Sequence, residues 1–191
     1  MNQPSIGPRP ETERQPPDHQ EPIDSRGLPG GYLARPMTLS DVESVHTLES
    51  RLFPDDAWPV DMFLAELCHP VRRYTVVEFD GCVVAYAGMM AVAETGDVQT
   101  IAVAPEHEGL GIGRWLMTRM HHQAVRAGAQ VMMLEVRADN HRAQRLYESM
   151  GYSAIHRRRG YYAGGCDAII MQLDLHGPSA TTTKEAPDAN R

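Results

Sequence analysis

The segment from Thr100 to Leu116 constrains this chain more than any other: an apolar run, Ile101 to Ala104, leads through Glu108-Gly-Leu-Gly-Ile-Gly-Arg114 into an amphipathic helical pattern. Strand, glycine turn and helix must therefore follow one another with almost no spacer. The first turn of a helix leaves its N–H groups without partners and carries roughly half a positive charge. With Gly109, Gly111 and Gly113 there, no side chain screens those donors, and a phosphate can sit against the helix end. The plainer reading is that the glycines only turn the chain.

Two familiar phosphate loops do not fit. A P-loop needs Gly-Lys-Ser/Thr at the helix start, yet Gly113 is followed by Arg114 and Trp115, and the only lysine is Lys184. The dinucleotide fingerprint needs G-x-G-x-x-G and an acid about 20 residues on to hold a ribose; the spacing here is G-x-G-x-G and no such acid follows.

The chain resembles the GNAT acetyltransferase superfamily at these residues. Its signature, Gln/Arg-x-x-Gly-x-Gly/Ala, marks the strand-to-helix turn that holds the acetyl-CoA pyrophosphate. Glu108 departs from it at the first position, and a carboxylate beside pyrophosphate is repulsive unless it turns outward. Further segments are similar to the RimI branch, the bacterial N-terminal acetyltransferases of ribosomal protein S18. They are Leu134-Glu-Val-Arg-Ala-Asp-Asn140, Ala143-Gln-Arg-Leu-Tyr-Glu-Ser-Met-Gly-Tyr152, the Phe53-Pro54 turn, Thr100-Ile-Ala-Val103, Arg158-Arg159-Gly-Tyr-Tyr162 and Asp167-Ala-Ile-Ile-Met171. The resemblance covers residues 32–175. It implies an α/β (α+β) GNAT fold: a mixed, mostly antiparallel central sheet flanked by helices, with the glycine turn holding acetyl-CoA.

The length of 191 residues, with 42% hydrophobic, is enough for one sizeable core. No stretch approaches the roughly 18 apolar residues of a membrane span, and the polar, proline-rich start lacks a secretion signal, so a cytoplasmic protein is expected. Cys68, Cys82 and Cys166 are odd in number and lack C-x-x-C spacing, which suggests buried apolar residues rather than a disulfide or zinc framework. There is no H-E-x-x-H, and the neighbouring His121 and His122 cannot share a helical face, so no metal is expected. Residues 1–30 and 176–191 hold few large apolar side chains and read as disordered tails around a domain at 31–175. That domain keeps most of the net charge of −7, which disfavours direct nucleic-acid binding.

Strand and helix alternate between the tails. A strand is predicted at Tyr32–Arg35, then a helix from Ser40 with Val42, Val45, Leu48 and Leu52 on one face, and a second starting with Pro59 in its first position and ending before Pro70. Asp80-Gly81 between Arg73–Phe79 and Val83–Met90 is a hairpin signal. Leu116, Met120, Ala124 and Ala127 line the helix after the glycine turn, and Gly128 ends it. Val131–Val136 reads as a buried central strand. A helix over 140–150 and strands at Tyr152–Arg158 and Ala168–Leu173 close the pattern.

Amide formation from a thioester needs a base for the amine, donors for the oxyanion and an acid for the thiol. Glu135 interrupts the apolar residues Met132, Met133, Leu134 and Val136, where a buried carboxylate would be a stronger proton acceptor. It serves either as that base or as a structural acid paired with Arg137 or a backbone donor. Tyr147, on an apolar helix face, serves either packing or acid catalysis. The resemblance implies Glu135 as proton acceptor and Tyr147 as proton donor. It also implies Ile101, Ala102 and Val103 as backbone partners of the pantetheine arm, Gly109, Leu110, Gly111, Ile112, Gly113 and Arg114 at the pyrophosphate, Asn140 near the cofactor, and Tyr161 and Tyr162 beside the substrate. Asn140 is equally a good helix cap, and both tyrosines are equally good strand-end packing.

An α-amine of pKa near 8 is neutral at pH 7 about one time in eight, and a lysine near 10.4 about one time in 2,500, so a modest base suits N-termini. The resemblance implies the N-terminal alanine of S18, whose basic start could meet Glu49, Asp55 or Asp56. An acetyltransferase for a lysine or a small amine, and a non-catalytic acyl-CoA-binding module, are the alternatives.

Overall fold

The computed structural model describes residues 23–177. Seven strands, β1 (Tyr32–Pro36), β2 (Arg72–Phe79), β3 (Cys82–Val92), β4 (Thr95–Val103), β5 (Val131–Arg137), β6 (Ser153–Arg158) and β7 (Ala168–Asp174), form one sheet in the order β1-β2-β3-β4-β5-β7-β6. Every neighbouring pair is antiparallel except β4 and β5. Helices α1 (Val42–Leu52) and α2 (Val60–Leu67) precede β2, α3 (Ile112–Arg126) links β4 to β5, and α4 (His141–Glu148) links β5 to β6. This is the mixed α/β architecture that the resemblance implies.

Two cores form because the strands turn alternate side chains to opposite faces. On one, Ile112, Leu116, Met117, Met120 and Ala124 of α3 meet Ala85, Ala87, Met89, Met132 and Leu134. On the other, Val42, Val45, Leu48 and Phe63 of α1 and α2 meet Tyr74, Val76, Tyr86 and Ala102. Ala127, predicted on the buried face of α3, is exposed: it is the helix C-cap, and the chain turns away at Gly128, whose φ is 94°. Pro59 is the N-cap of α2 rather than its first residue. Cys68 and Cys82 are exposed rather than buried, since one caps α2 and the other follows a tight turn.

Asp80 and Gly81, with φ of 49° and 75°, connect Phe79 to its partner Cys82 in a two-residue hairpin. A second hairpin, unanticipated, joins Val92 to Thr95 through Ala93, whose φ is 51°. Gly88 fits because a Cβ there would lie 2.1 Å from a ring carbon of the buried Tyr74. Gly88→Ala should therefore cost about 2–3 kcal/mol, read as a lower urea midpoint at unchanged slope.

The sheet is not continuous across its middle. Strands β4 and β5 pair only from Thr95–Asp97 to Val131–Met133, then part company. A bulge in the β3–β4 ladder, where Gly88 faces Thr100 and Met89 faces Val98, leaves Gln99 unopposed and bends β4 at that point. Beyond Asp97, then, β4 has β3 on one side and, among the described residues, no strand on the other.

The chain expected as an N-terminal tail lies outside the described residues as far as residue 22. Residues 23–30 pack on the body: Ile23 and Leu28 touch the α3-side core, and the Trp115 indole donates to the Arg26 carbonyl at 2.9 Å. At the other end, residues 178–191 also lie outside the described part. Among the described residues no helix is long and apolar enough to cross a membrane, and no group of three or more His, Cys, Asp or Glu is placed to hold a metal ion.

Candidate active site

The parting of β4 from β5 opens a cavity of about 440 Å³ whose walls come from four parts of the chain. Ile101, Ala102 and Val103 contribute the β4 edge, Gly109 and Gly111 to Arg114 the turn into α3, Asn140, Ala143, Leu146 and Tyr147 the α4 side, and Leu52 and Phe53 the end of α1.

Gly109 and Gly111 have φ of 77° and 85°, a region that costs an L residue about 1–2 kcal/mol. Gly111 is the N-cap of α3, and the first amide bonded back to the turn is that of Trp115, to the Gly111 carbonyl at 2.9 Å. Among the described residues, none of the six amides from Gly109 to Arg114 donates to a backbone carbonyl or a side chain. Six consecutive donors at a helix N-terminus are the physical basis of an anion cradle. Gly113 differs from its neighbours, being the second residue of α3 with ordinary helical backbone, where a Cβ would make only normal contacts with Leu146 and Val103.

The carboxylate of Glu108 is neutralised. It pairs with Arg142 of α4, and both residues line the cavity, so the acid that departs from the family signature presents an ion pair rather than a bare charge. Arg142 was not singled out in the sequence, since only the fold brings it to a residue 34 positions away. Arg114 also lines the cavity, with Nη2 donating to Ser149 Oγ at 2.6 Å. Asn140 caps α4, its side chain accepting the Ala143 N–H at 3.0 Å, and stands on the wall as well. Leu110 does not line the cavity; its side chain is 47% exposed.

Tyr147 is 6% exposed on the α4 wall, and burial pushes its phenol up to about 12. A thiolate whose thiol has a pKa near 8.5 would be a poor proton acceptor from such a phenol.

Glu135 is not on the cavity wall, and the burial expected of it is not found. Leu134 and Val136 face the core, but β4 has already left β5 at Met133, so the face carrying Glu135 is open. Its carboxylate accepts from Arg158 Nη1 at 2.8 Å, rather than from Arg137. Asp97, the last β4 residue paired to β5, lies within its field: burial, then the Glu135 charge, holds the Asp97 carboxyl above its usual range. Tyr161 stands beside it too, its phenol raised chiefly by hydrogen bonding to Glu135, with its ring 4.9 Å from the Arg158 guanidinium carbon.

Tyr162 packs edge-on against Tyr161 at 5.1 Å and lies 5.2 Å from the Arg137 guanidinium carbon. Arg137 in turn bonds Asp56 at 2.6 Å, and Asp56 accepts the Ala163 N–H at 2.9 Å. The α1–α2 turn and the β6–β7 loop are thus tied together beside Glu135; of the sequence-predicted residues, Tyr147 and all those expected at the cofactor except Leu110 line the cavity, while Glu135, Tyr161 and Tyr162 do not.

A model of the acetyltransferase (GNAT) family matches residues 42–152, more than half of the chain. The chain belongs to the GNAT acetyltransferase family. Among its GNAT relatives, N-alpha-acetyltransferase RimI of Mycobacterium tuberculosis is 39% identical over 149 residues, covering 75% of this chain and 92% of that one. The ribosomal protein bS18-alanine N-acetyltransferase of Escherichia coli K12 is 36% identical over 144 residues, 73% of this chain and 95% of that one. The crystal structure of the E. coli ribosomal-protein-S18-alanine N-acetyltransferase superposes with a TM-score of 0.69 at 27% identity, covering 79% of this chain and 98% of that one. A Salmonella typhimurium structure, yncA with its cofactor acetyl-CoA, has the same fold, with a TM-score of 0.66 at 22% identity over 80% of this chain and 98% of that one. This GNAT chain is an enzyme of the N-acetyltransferase class.

Of the acids expected to meet a basic substrate, Glu49 is excluded by its surroundings. It is 2% exposed, accepts the Trp58 N–H at 3.2 Å and is bonded by the Tyr86 hydroxyl. Desolvation lifts its carboxyl from 4.5 to about 7. The folded chain therefore keeps a proton that the unfolded chain releases between pH 4.5 and 7, and stability falls as pH rises through that window. Glu49→Gln should match the parent near pH 4.5 and exceed it by about 2 kcal/mol at pH 8, measured by urea unfolding at both values.

Proposed function

We propose that this enzyme acetylates protein N-terminal α-amines with acetyl-CoA, and that its substrate is the N-terminal alanine of ribosomal protein S18. The observation that carries the cofactor half is the run of six amides, Gly109 to Arg114, without a partner among the described residues, at a cavity lined by the β4 edge that has parted from β5. The substrate half is supported by the names of relatives that this chain covers over more than nine-tenths of their length.

Bound acetyl-CoA would supply an acetyl group activated as a thioester. The amides of 109–114 would hold its pyrophosphate, with Arg114 and the Glu108–Arg142 pair at the rim. The backbone of Ile101 to Val103, open on the side away from β3, would bond the pantetheine arm and leave donors near the carbonyl oxygen, where charge develops. Asn140 would fix the start of α4 and with it Tyr147, whose phenol would bond the departing sulfur. Glu135, at the open end of the parting strands, would take the ammonium proton directly or through one water, and Tyr161 and Tyr162 would flank the incoming N-terminus. Arg158 keeps the Glu135 carboxylate oriented.

The test is a peptide panel: one beginning alanine-arginine, one with a blocked N-terminus and an internal lysine, and a polyamine, each with acetyl-CoA and mass spectrometry to place the acetyl group. The expected result is an α-amine product and kcat/KM at least about 100-fold higher for the first, given the scarcity of neutral lysine at pH 7. Modification of only the other two would remove the N-terminal reading.

A further inference from the structure

A second cavity, of about 710 Å³, lies between the start of β2, the end of β3 and the second half of α3, and shares no lining residue with the first. Arginines 72, 73, 119 and 126 and His122 stand on its wall, and none of the described residues lining it is an aspartate or glutamate. In a chain of net charge −7 that concentration of arginines runs against the overall balance.

The arginines are not all neutralised by the fold. Arg72 is ion-paired with Glu66. Arg73, by contrast, spends Nη1 on the carbonyls of Pro70 and Arg72 at 2.7 and 2.8 Å, and Arg119 gives Nε to Thr75 Oγ1 at 3.3 Å. Neither guanidinium meets a carboxylate among the described residues, although both are partly buried. Burial pushes the pKa of each down, the cost of holding a cation without a counter-charge.

Two polar atoms of the same wall are buried with no partner among the described residues: the donor Arg72 Nε and the acceptor Gln123 Oε1. An orphaned buried polar atom costs about 1–3 kcal/mol. Guanidinium forks match carboxylate and phosphate oxygens, and an orphaned amide oxygen asks for an O–H or N–H. A volume of 710 Å³ accommodates a small metabolite with room for water.

We propose that this cavity binds a small polyanion carrying a hydroxyl or amino donor, with Arg73 and Arg119 holding its anionic oxygens and Gln123 accepting its donor. Polycarboxylates and phosphate esters share that chemistry, so both are used as probes. The chain ahead of Ile23 carries Glu11, Glu13, Asp18 and Glu21, so the full chain is used and its own carboxylates are present as competitors.

Citrate, tricarballylate (citrate without its hydroxyl) and glycerol 3-phosphate are titrated calorimetrically into the full chain in physiological salt, with acetyl-CoA present in excess to occupy the other cavity. Citrate or glycerol 3-phosphate should bind with Kd below about 1 mM, and Arg73→Gln and Arg119→Gln should each weaken it at least about tenfold, the worth of one charge-assisted bond. Tricarballylate should bind more weakly than citrate, and Gln123→Leu should erase the difference. Arg114→Gln, in the first cavity, should leave the titration unchanged. Should Arg119→Gln unfold, as circular dichroism would report, Arg73→Gln carries the test alone, because its head group bonds only the Pro70 and Arg72 carbonyls at the entry to β2. No saturable heat with either anion, binding that both arginine variants retain, or loss of binding in Arg114→Gln would each overturn the proposal.

Discussion

Glu135→Gln should leave acetyl-CoA affinity within about twofold of the parent and lower kcat by roughly 10²–10⁴, the range that positioned general bases contribute. Glutamine keeps the shape and still accepts a hydrogen bond from Arg158, but it cannot take a proton from an ammonium. The expected separation follows from the geometry: Glu135 is off the wall of the cofactor cavity, on the face of β5 that opens once β4 has left, so a change there should not reach the cradle. If Glu135 only anchors Arg158, the variant will turn over normally, and the base must be sought elsewhere. Asp97, held above the usual carboxylate range one ladder position inside the fork, would be the first place to look. Single-turnover kinetics with the alanine-arginine peptide, alongside calorimetry with acetyl-CoA, distinguish these outcomes.

The opposite split is expected at the glycine turn. Gly111→Val forces a β-branched residue into a backbone with φ of 85°, costing more than the 1–2 kcal/mol typical of an L residue there, and sets a branched side chain among the free amides. Acetyl-CoA Kd should rise at least about 100-fold, equivalent to losing roughly two charge-assisted hydrogen bonds, while circular dichroism of the ligand-free protein is unchanged and its thermal midpoint falls by several degrees through backbone strain alone, since apart from its chain neighbours nothing lies within 4 Å of the new Cβ. Gly113→Ala is the matched control. Its backbone is already helical and its Cβ would sit 3.6 Å from Leu146 and 3.8 Å from Val103, so alanine should be accepted and should firm the helix by up to about 1 kcal/mol. Equal losses in both variants would mean that side-chain bulk, rather than left-handed backbone at Gly111, governs the cradle.

The features legible in the sequence are those whose cause is local. Asp80-Gly81 marks its hairpin because left-handed backbone is cheap there, and Leu116, Met120 and Ala124 mark the buried side of α3 because 3.6 residues make a turn. The glycines of the turn into α3 belong to the same class. The hairpin at Ala93 was invisible because alanine has no preference for a φ of 51°; the strands on either side impose it. The exposure of Glu135 was equally hidden. Met132 to Val136 reads as a buried strand with one acid set among apolar residues, and nothing in those residues tells that the neighbouring strand stops pairing at Met133. Charge compensation across the fold escaped for a related reason, since Glu108 and Arg142 are joined only when α4 docks beside α3. The tying of Asp56 to both Arg137 and Ala163 is of the same kind.

Only three rungs join the two halves of the sheet at its centre, and both strands bordering the gap run on past the last rung. A long, thin molecule can therefore be laid in sideways along its whole length, as a key is set on a tray, instead of being threaded end-first through a tunnel. For a carrier held there, loading and discharge would require no unravelling of either half, and the spent form would leave by the route along which it arrived.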